Sequence, residues 1–292
     1  RHEGIKPSTR LELKYRLANV PQLKQEGWDR PYIHVHGHAR GLLGTLGMSE
    51  VAALELVDHL IETYPIDPDR VILSGISAGA SSAMIIASRN PDVFAGVMPW
   101  VAFGSGVIHD NFQNLPVLCH HGTQDWTSSI GSVRAHFQSL QAMGYPAMLK
   151  EYPGIGHGVI RNPEAHIPYT DWILSCRRPN RPTRVTYRCD TPGQGEAYWV
   201  NIRRFQRVHH DARVAANVRR EQVHPSLIVG TGNVRVLTLD LTEAPVDRDR
   251  QLILQMDTDY LPLNPLLPEA VTLVKGSVGW SVRNDWRPES PN

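Results

Sequence analysis

Between residues 31 and 175 short apolar runs alternate with longer stretches of helical period, and near residue 180 that alternation stops. Such a pattern needs crossover helices between strands of a mainly parallel sheet, and no other feature narrows the fold as much. Pro31–Gly37 reads as a strand running into a loop. Ser49–Tyr64 opens on an N-cap serine and repeats apolar residues at Val51, Leu54, Val57 and Ile61, which predicts an amphipathic helix. Val71–Leu73, Gly96–Val101, Pro116–Cys119 and Ala147–Tyr152 read as strands, with helices over Ser81–Ser88, Gly131–Met143 and Tyr169–Cys176. Past Arg177, Pro179 and Pro182 stiffen a joint. Seven strand-like runs follow: Arg184–Cys189, Ala197–Phe205, Ala212–Arg219, Leu227–Val229, Val234–Leu241, Leu252–Met256 and Ala270–Val274. Short strands at this spacing predict a small all-β sandwich, with Gly230–Asn233 (GTGN) as a tight turn between two of them. The predicted fold class is thus α/β, a doubly wound parallel sheet over 1–180, followed by a β-sandwich over 181–292.

Charge narrows the function. Thirty basic and 29 acidic side chains leave a net charge of +1, and neither half of the chain is basic. That balance lacks the footprint of nucleic-acid binding. No apolar run is long enough to span a membrane. Cys119, Cys176 and Cys189 are too few for a disulfide framework. Cys119 reads as a small buried hydrophobe, and Cys176 and Cys189, which straddle the expected domain boundary, could pair, although their separation in sequence does not establish the geometry. The start at Arg1 reads as a processed or truncated product; the compartment stays open, leaning to an extracytoplasmic location.

Gly75-Ile-Ser-Ala-Gly79 matches G-x-S-x-G, the nucleophile-elbow pattern. Its context matters more than the pentad: an apolar strand precedes it and a small-residue helix follows. The serine of such an elbow sits in a strained turn, and flanking glycines remove Cβ atoms that would collide there. A serine hydroxyl needs an adjacent base that a third group orients. Asp125 falls in the loop after Pro116–Cys119, and His157 in a glycine loop after Ala147–Tyr152. Both positions lie outside the carboxyl ends of the strands, where open α/β sheets bind ligands.

The segments DPDRVILSGISAGA, PVLCHHGTQD, EYPGIGHG and YTDWILSCRR together resemble the α/β-hydrolase superfamily, in its esterase and prolyl-oligopeptidase-like branch. The resemblance covers residues 31 to 178. It implies Ser77 as nucleophile, His157 as base and then acid, Asp125 as the residue orienting His157, and the Ala78 N–H as one oxyanion donor. It implies hydrolysis of carboxylic esters, of small molecules or linked to a polymer, through an acyl-enzyme, with no cofactor. A serine peptidase is the alternative within the branch, and a non-catalytic hydrolase-like binding protein lies outside it. The family usually closes its elbow Gly-Gly, where this chain has Gly79-Ala80. Its upstream HG loop also falls one strand earlier than His36-Gly37, only 41 residues before Ser77. Either the first strands of the sheet precede Arg1, or a shortened sheet uses His36 and Gly37 directly; these two residues and His121 are expected at the active-site rim.

His34, His36 and His38 share one strand face and invite a zinc reading. No HExxH accompanies them, so a strand entering the rim is the preferred reading and no metal is assigned. Residues 181–292 show no nucleophile or phosphate loop and resemble immunoglobulin-like modules found beside bacterial esterases. There Tyr187, Tyr198, Trp199 and Phe205 are read as core aromatics in preference to a sugar-binding surface.

Overall fold

The computed structural model describes residue 35, residues 48–219 and residues 225–287. By their contacts the described residues of Leu60–Asn292 form one compact unit. Helix α1 (Met48–Thr63) forms over the residues whose apolar period predicted it. Of the strand expected over Pro31–Gly37 only Val35 is described; the pair His36-Gly37 and the His34/His36/His38 face lie outside the described residues.

Within Leu60–Asn292 four strands form a parallel sheet in the order β1 (Ile72–Ile76), β2 (Gly96–Trp100), β3 (Val117–Gly122), β4 (Ala147–Tyr152). The order runs straight, without the reversal of a doubly wound sheet among the described strands. Right-handed crossovers therefore place α2 (Ala78–Arg89) and α3 (Ile130–Ala142) on one face. The other face is covered by α4 (Pro163–Ser175), whose Trp172 and Ile173 pack with Met98, Trp100 and Leu118. Helices on both faces explain why β2 and β3 are buried along their whole length. Cys119, Cys176 and Cys189 are all free and buried, so the considered Cys176–Cys189 pair does not form.

Ten strands follow among the described residues, three more than the pattern predicted. β5 (Arg184–Cys189), β8 (Ala212–Arg219), β9 (Ser226–Gly232), β11 (Leu252–Met256) and β12 (Asp259–Leu263) make one sheet, antiparallel except where β9 meets β11. β6 (Glu196–Ala197), β7 (Val200–Phe205), β10 (Val234–Asp240), β13 (Ala270–Lys275) and β14 (Trp280–Val282) make a second, antiparallel one. Both contribute to a single apolar cluster that holds Tyr187, Trp199 and Phe205, each at most 5% exposed, with Tyr198 packed against it. The core reading of these aromatics holds. The tight turn expected over Gly230–Asn233 does not form: Gly230–Gly232 are strand residues of β9, paired with Arg213–Ala215, and β9 and β10 belong to different sheets. Asn233, at φ 58°, carries the chain across, and its side chain bonds the backbone of Arg207 and His210. Among the described residues no helix is long and apolar enough to cross a membrane.

Candidate active site

Three loops leave the carboxyl edge of the parallel sheet and carry the residues singled out in the sequence. The first is the turn from β1 into α2. Ser77 sits there at φ 54°, ψ −119°, a backbone conformation that L-residues avoid and that costs about 1–3 kcal/mol. Its N–H donates to the Trp100 carbonyl at 2.9 Å, while its own carbonyl accepts from Ala80 and Ser81 to open the helix. Gly75 is needed, because a Cβ there would stand 2.8 Å from the Ala80 nitrogen and nearer still to the Gly79 carbonyl. At Gly79 a Cβ would meet nothing within 4 Å. The expectation that both flanking glycines avoid collisions holds only for the first. The N–H of Ala78, in the first turn of α2, has no intrahelical partner and lies at the positive end of the helix.

The second loop follows β3. Asp125 is 6% exposed, and its Oδ1 accepts from the N–H groups of Thr127 and Ser128 at 2.9 and 3.0 Å. Its Oδ2 lies 2.8 Å from Nδ1 of His157. Burial pushes this carboxyl up, but bonds from Ser128, His157 and Thr127 outweigh it and hold the group below the usual carboxylate range.

The third loop follows β4 and delivers His157, whose side chain is 31% exposed. It is laced to the second loop through Thr123 N–H to Tyr152 O (3.0 Å), Gln124 N–H to Ile155 O (2.9 Å) and Gly154 N–H to Thr123 Oγ1 (3.1 Å). Gly122 makes this approach feasible: a Cβ there would stand 2.5 Å from the Gly156 oxygen, 2.7 Å from the Ile155 carbonyl carbon and nearer still to its oxygen. The structure thus joins Asp125 and His157 and sets Ser77 on the same sheet edge. Among the described residues no hydrogen bond joins Ser77 to His157.

His121, expected at the active-site rim, is instead a fully buried residue of β3. Two features escaped the sequence reading. Val101, just past β2, adopts φ 58° while fully buried, an outlier for a β-branched residue. His120 stacks on Trp100 with ring centres 4.1 Å apart and bonds Tyr152 Oη through Nδ1 at 2.8 Å, a buried platform under the loops. The doubled histidine of HHG was the available signal; neither its partners nor the Val101 conformation is written locally.

Fold and site together define an α/β protein with a strained serine elbow and a bonded carboxylate–imidazole pair on one edge of a parallel sheet. Residues 29–159 match the family described as Esterase PHB depolymerase, a span that contains all three residues. Poly(3-hydroxyalkanoate) depolymerase C of Paucimonas lemoignei is 41% identical over 56 residues, 19% of this chain and 14% of that protein. Carboxylesterase SOBER1 of Arabidopsis thaliana is 25% identical over 129 residues, 42% of this chain and 56% of that one. The chain thus spans 14% and 56% of the length of these two relatives. A crystal structure of a thermostable esterase aligns at TM-score 0.41 and 20% identity, covering 44% of this chain and 36% of that one.

Proposed function

We propose that the chain is a serine hydrolase of carboxylic esters. The observation that carries this reading is the 2.8 Å bond between buried Asp125 and His157 on the sheet edge that also bears the strained Ser77. The carboxylate fixes a hydrogen on His157 Nδ1, which leaves Nε2 as the base. Ser77 Oγ attacks the ester carbonyl and gives its proton to Nε2. The Ala78 N–H, at the helix terminus, takes the developing oxyanion. The imidazolium returns the proton to the leaving alkoxide, and water repeats the sequence to free the acid. This route uses no cofactor. The carboxylesterase and depolymerase names of the relatives support ester chemistry, and the peptidase alternative gains no support from them. We read residues 181–292 as an accessory β-sandwich that supplies no member of the triad; both its sheets contribute to one core.

Ser77→Ala tests the assignment. Turnover of a short acyl ester should fall on the order of 10⁴-fold, and a fluorophosphonate should label the parent chain at Ser77 and not the variant. Undiminished hydrolysis by the variant would remove Ser77 from the mechanism. Folded parent protein that never labels would favour a binding scaffold.

A further inference from the structure

Asp125 is followed by Trp126, which the mechanism above does not use and which is 91% exposed. A single exposed apolar residue is ordinary, but this one departs from the rest of its kind. Trp100, Trp199 and Trp280 are buried, and Trp172 and Trp286 are partly so. Among the described residues the Trp126 indole makes no hydrogen bond or ring contact. Its backbone is nevertheless held. Asp125 Oδ1 accepts from the N–H groups of Thr127 and Ser128, which ties the chain on either side of Trp126, and Gln124 N–H bonds Ile155 O in the loop that delivers His157. A ligand that covers such a face has little backbone left to order. Ile76, the residue before Ser77, is exposed as well, so apolar side chains border two of the three catalytic positions.

We propose that Trp126 is a specificity-determining residue that covers the apolar part of the ester's alcohol moiety. This rests on the catalytic reading of Ser77, Asp125 and His157, and the chemistry of that reading gives the side. His157 Nε2 returns its proton to the leaving alkoxide, so the alcohol departs beside His157 while the acyl group stays on Ser77. His157 is bonded to Asp125, and Trp126 is the next residue of the Asp125 loop. The indole therefore belongs to the alcohol side of the scissile bond. It offers a broad apolar face with one N–H donor and no charge, which suits an alkyl or aryl alcohol over a charged one. Covering one side of an alkyl chain recovers about half of the transfer of a fully buried methylene, roughly a twofold gain per carbon.

The n-alkyl acetates from ethyl to hexyl test this, because their leaving alkoxides are nearly equal in basicity while their apolar lengths differ. In the parent chain kcat/KM should rise on the order of tenfold along the series, chiefly through KM. In Trp126→Ala that rise should shrink to about twofold, and Trp126→Phe, which keeps an aromatic face, should retain most of it. A second series holds the alcohol as ethanol and lengthens the acyl chain from acetate to hexanoate. There the ratio of longest to shortest should be the same in the parent and in Trp126→Ala. Circular dichroism confirms that the variants are folded. A folded Trp126→Ala chain that keeps the full dependence on alcohol length overturns the proposal. So does a loss that falls on the acyl series instead, or a parent chain that shows no dependence on alcohol length. Failure of the catalytic reading looks different: hydrolysis then survives Ser77→Ala with either residue at position 126, and the assignment to the alcohol side falls with it.

Discussion

Gly122→Ala asks whether the placement of His157 depends on one close approach. Gly122 does not have a positive φ, so alanine fits its backbone and any effect comes from the added methyl. That methyl would stand 2.5 Å from the Gly156 oxygen and 2.7 Å from the Ile155 carbonyl carbon, where ordinary contact begins at 3.4 Å. The obstacles are backbone, so the loop must retreat by about 1 Å. The next residue in that loop is His157, 2.8 Å from Asp125, and 1 Å more takes the pair beyond hydrogen-bond range. A misplacement of that size costs on the order of 10²-fold in rate. The strained Gln124–Ile155 bond adds a stability loss of about 1–2 kcal/mol. Gly156→Ala is the control. Its methyl would meet only the Gln124 oxygen, at 3.5 Å, and should leave turnover within about threefold. The assay is kcat/KM on a short acyl ester, with circular dichroism to confirm folding. If folded Gly122→Ala keeps turnover within threefold of the parent, the approach of this loop to Gly122 does not set His157, and the reasoning fails.

Two further outcomes follow from groups away from the site. Asn111, 2% exposed, donates to Ser88 O at 2.6 Å and Arg188 O at 2.8 Å and accepts from Arg188 N–H at 2.7 Å. Asn111→Ala leaves these backbone groups unmatched and should cost about 2–4 kcal/mol of stability by denaturant titration, with turnover per folded molecule retained; a loss under 0.5 kcal/mol would show that the amide does not lock β5. His109 and His136 share a bond of 3.1 Å between Nε2 and Nδ1, and burial pushes both imidazoles below the ordinary histidine value. As pH falls through about 6.5 the unfolded chain takes up protons first, so stability drops on the acid side and returns above it. Thermal melts at pH 5 and 7.5 should show a smaller acid loss in His136→Gln than in the parent; an equal loss removes the pair as its source.

What could be read in the sequence was what repeats along the chain. β4, β5, β8 and β11 span the residues that the apolar pattern predicted. β12 escaped because it is an edge strand bearing Pro262, with neither face fully buried. β14, three residues at the other sheet's edge, is too short to show a period. At the site, the order of Ser77, Asp125 and His157 on successive loops was legible because each loop follows its own strand. Whatever depends on residues distant in sequence was not: the passage of Ile155 over Gly122, the ring of His121 beside Asp125, the His120–Trp100 stack.

The boundary near residue 180 shows the same limit. The change of period from helix to strand marks it in the sequence, and a joint so marked suggests that the parts move independently. The contacts argue otherwise for Leu60–Asn292. Tyr187 Oη donates to Arg89 O at 3.1 Å, and Tyr198 donates its N–H to Asp92 Oδ2 at 2.9 Å and its hydroxyl to Pro91 O at 2.8 Å. Asn114 donates to Arg184 O at 2.7 Å, and Asn111 takes both backbone groups of Arg188. These bonds run between the sheets of the C-terminal part and two segments of the α/β part, the end of α2 with its exit and residues 109–114. To separate the parts, partly buried donors and acceptors would have to find water together, a cooperative cost of the kind that resists domain motion. A change of texture thus marks where the type of secondary structure changes, not where packing ends.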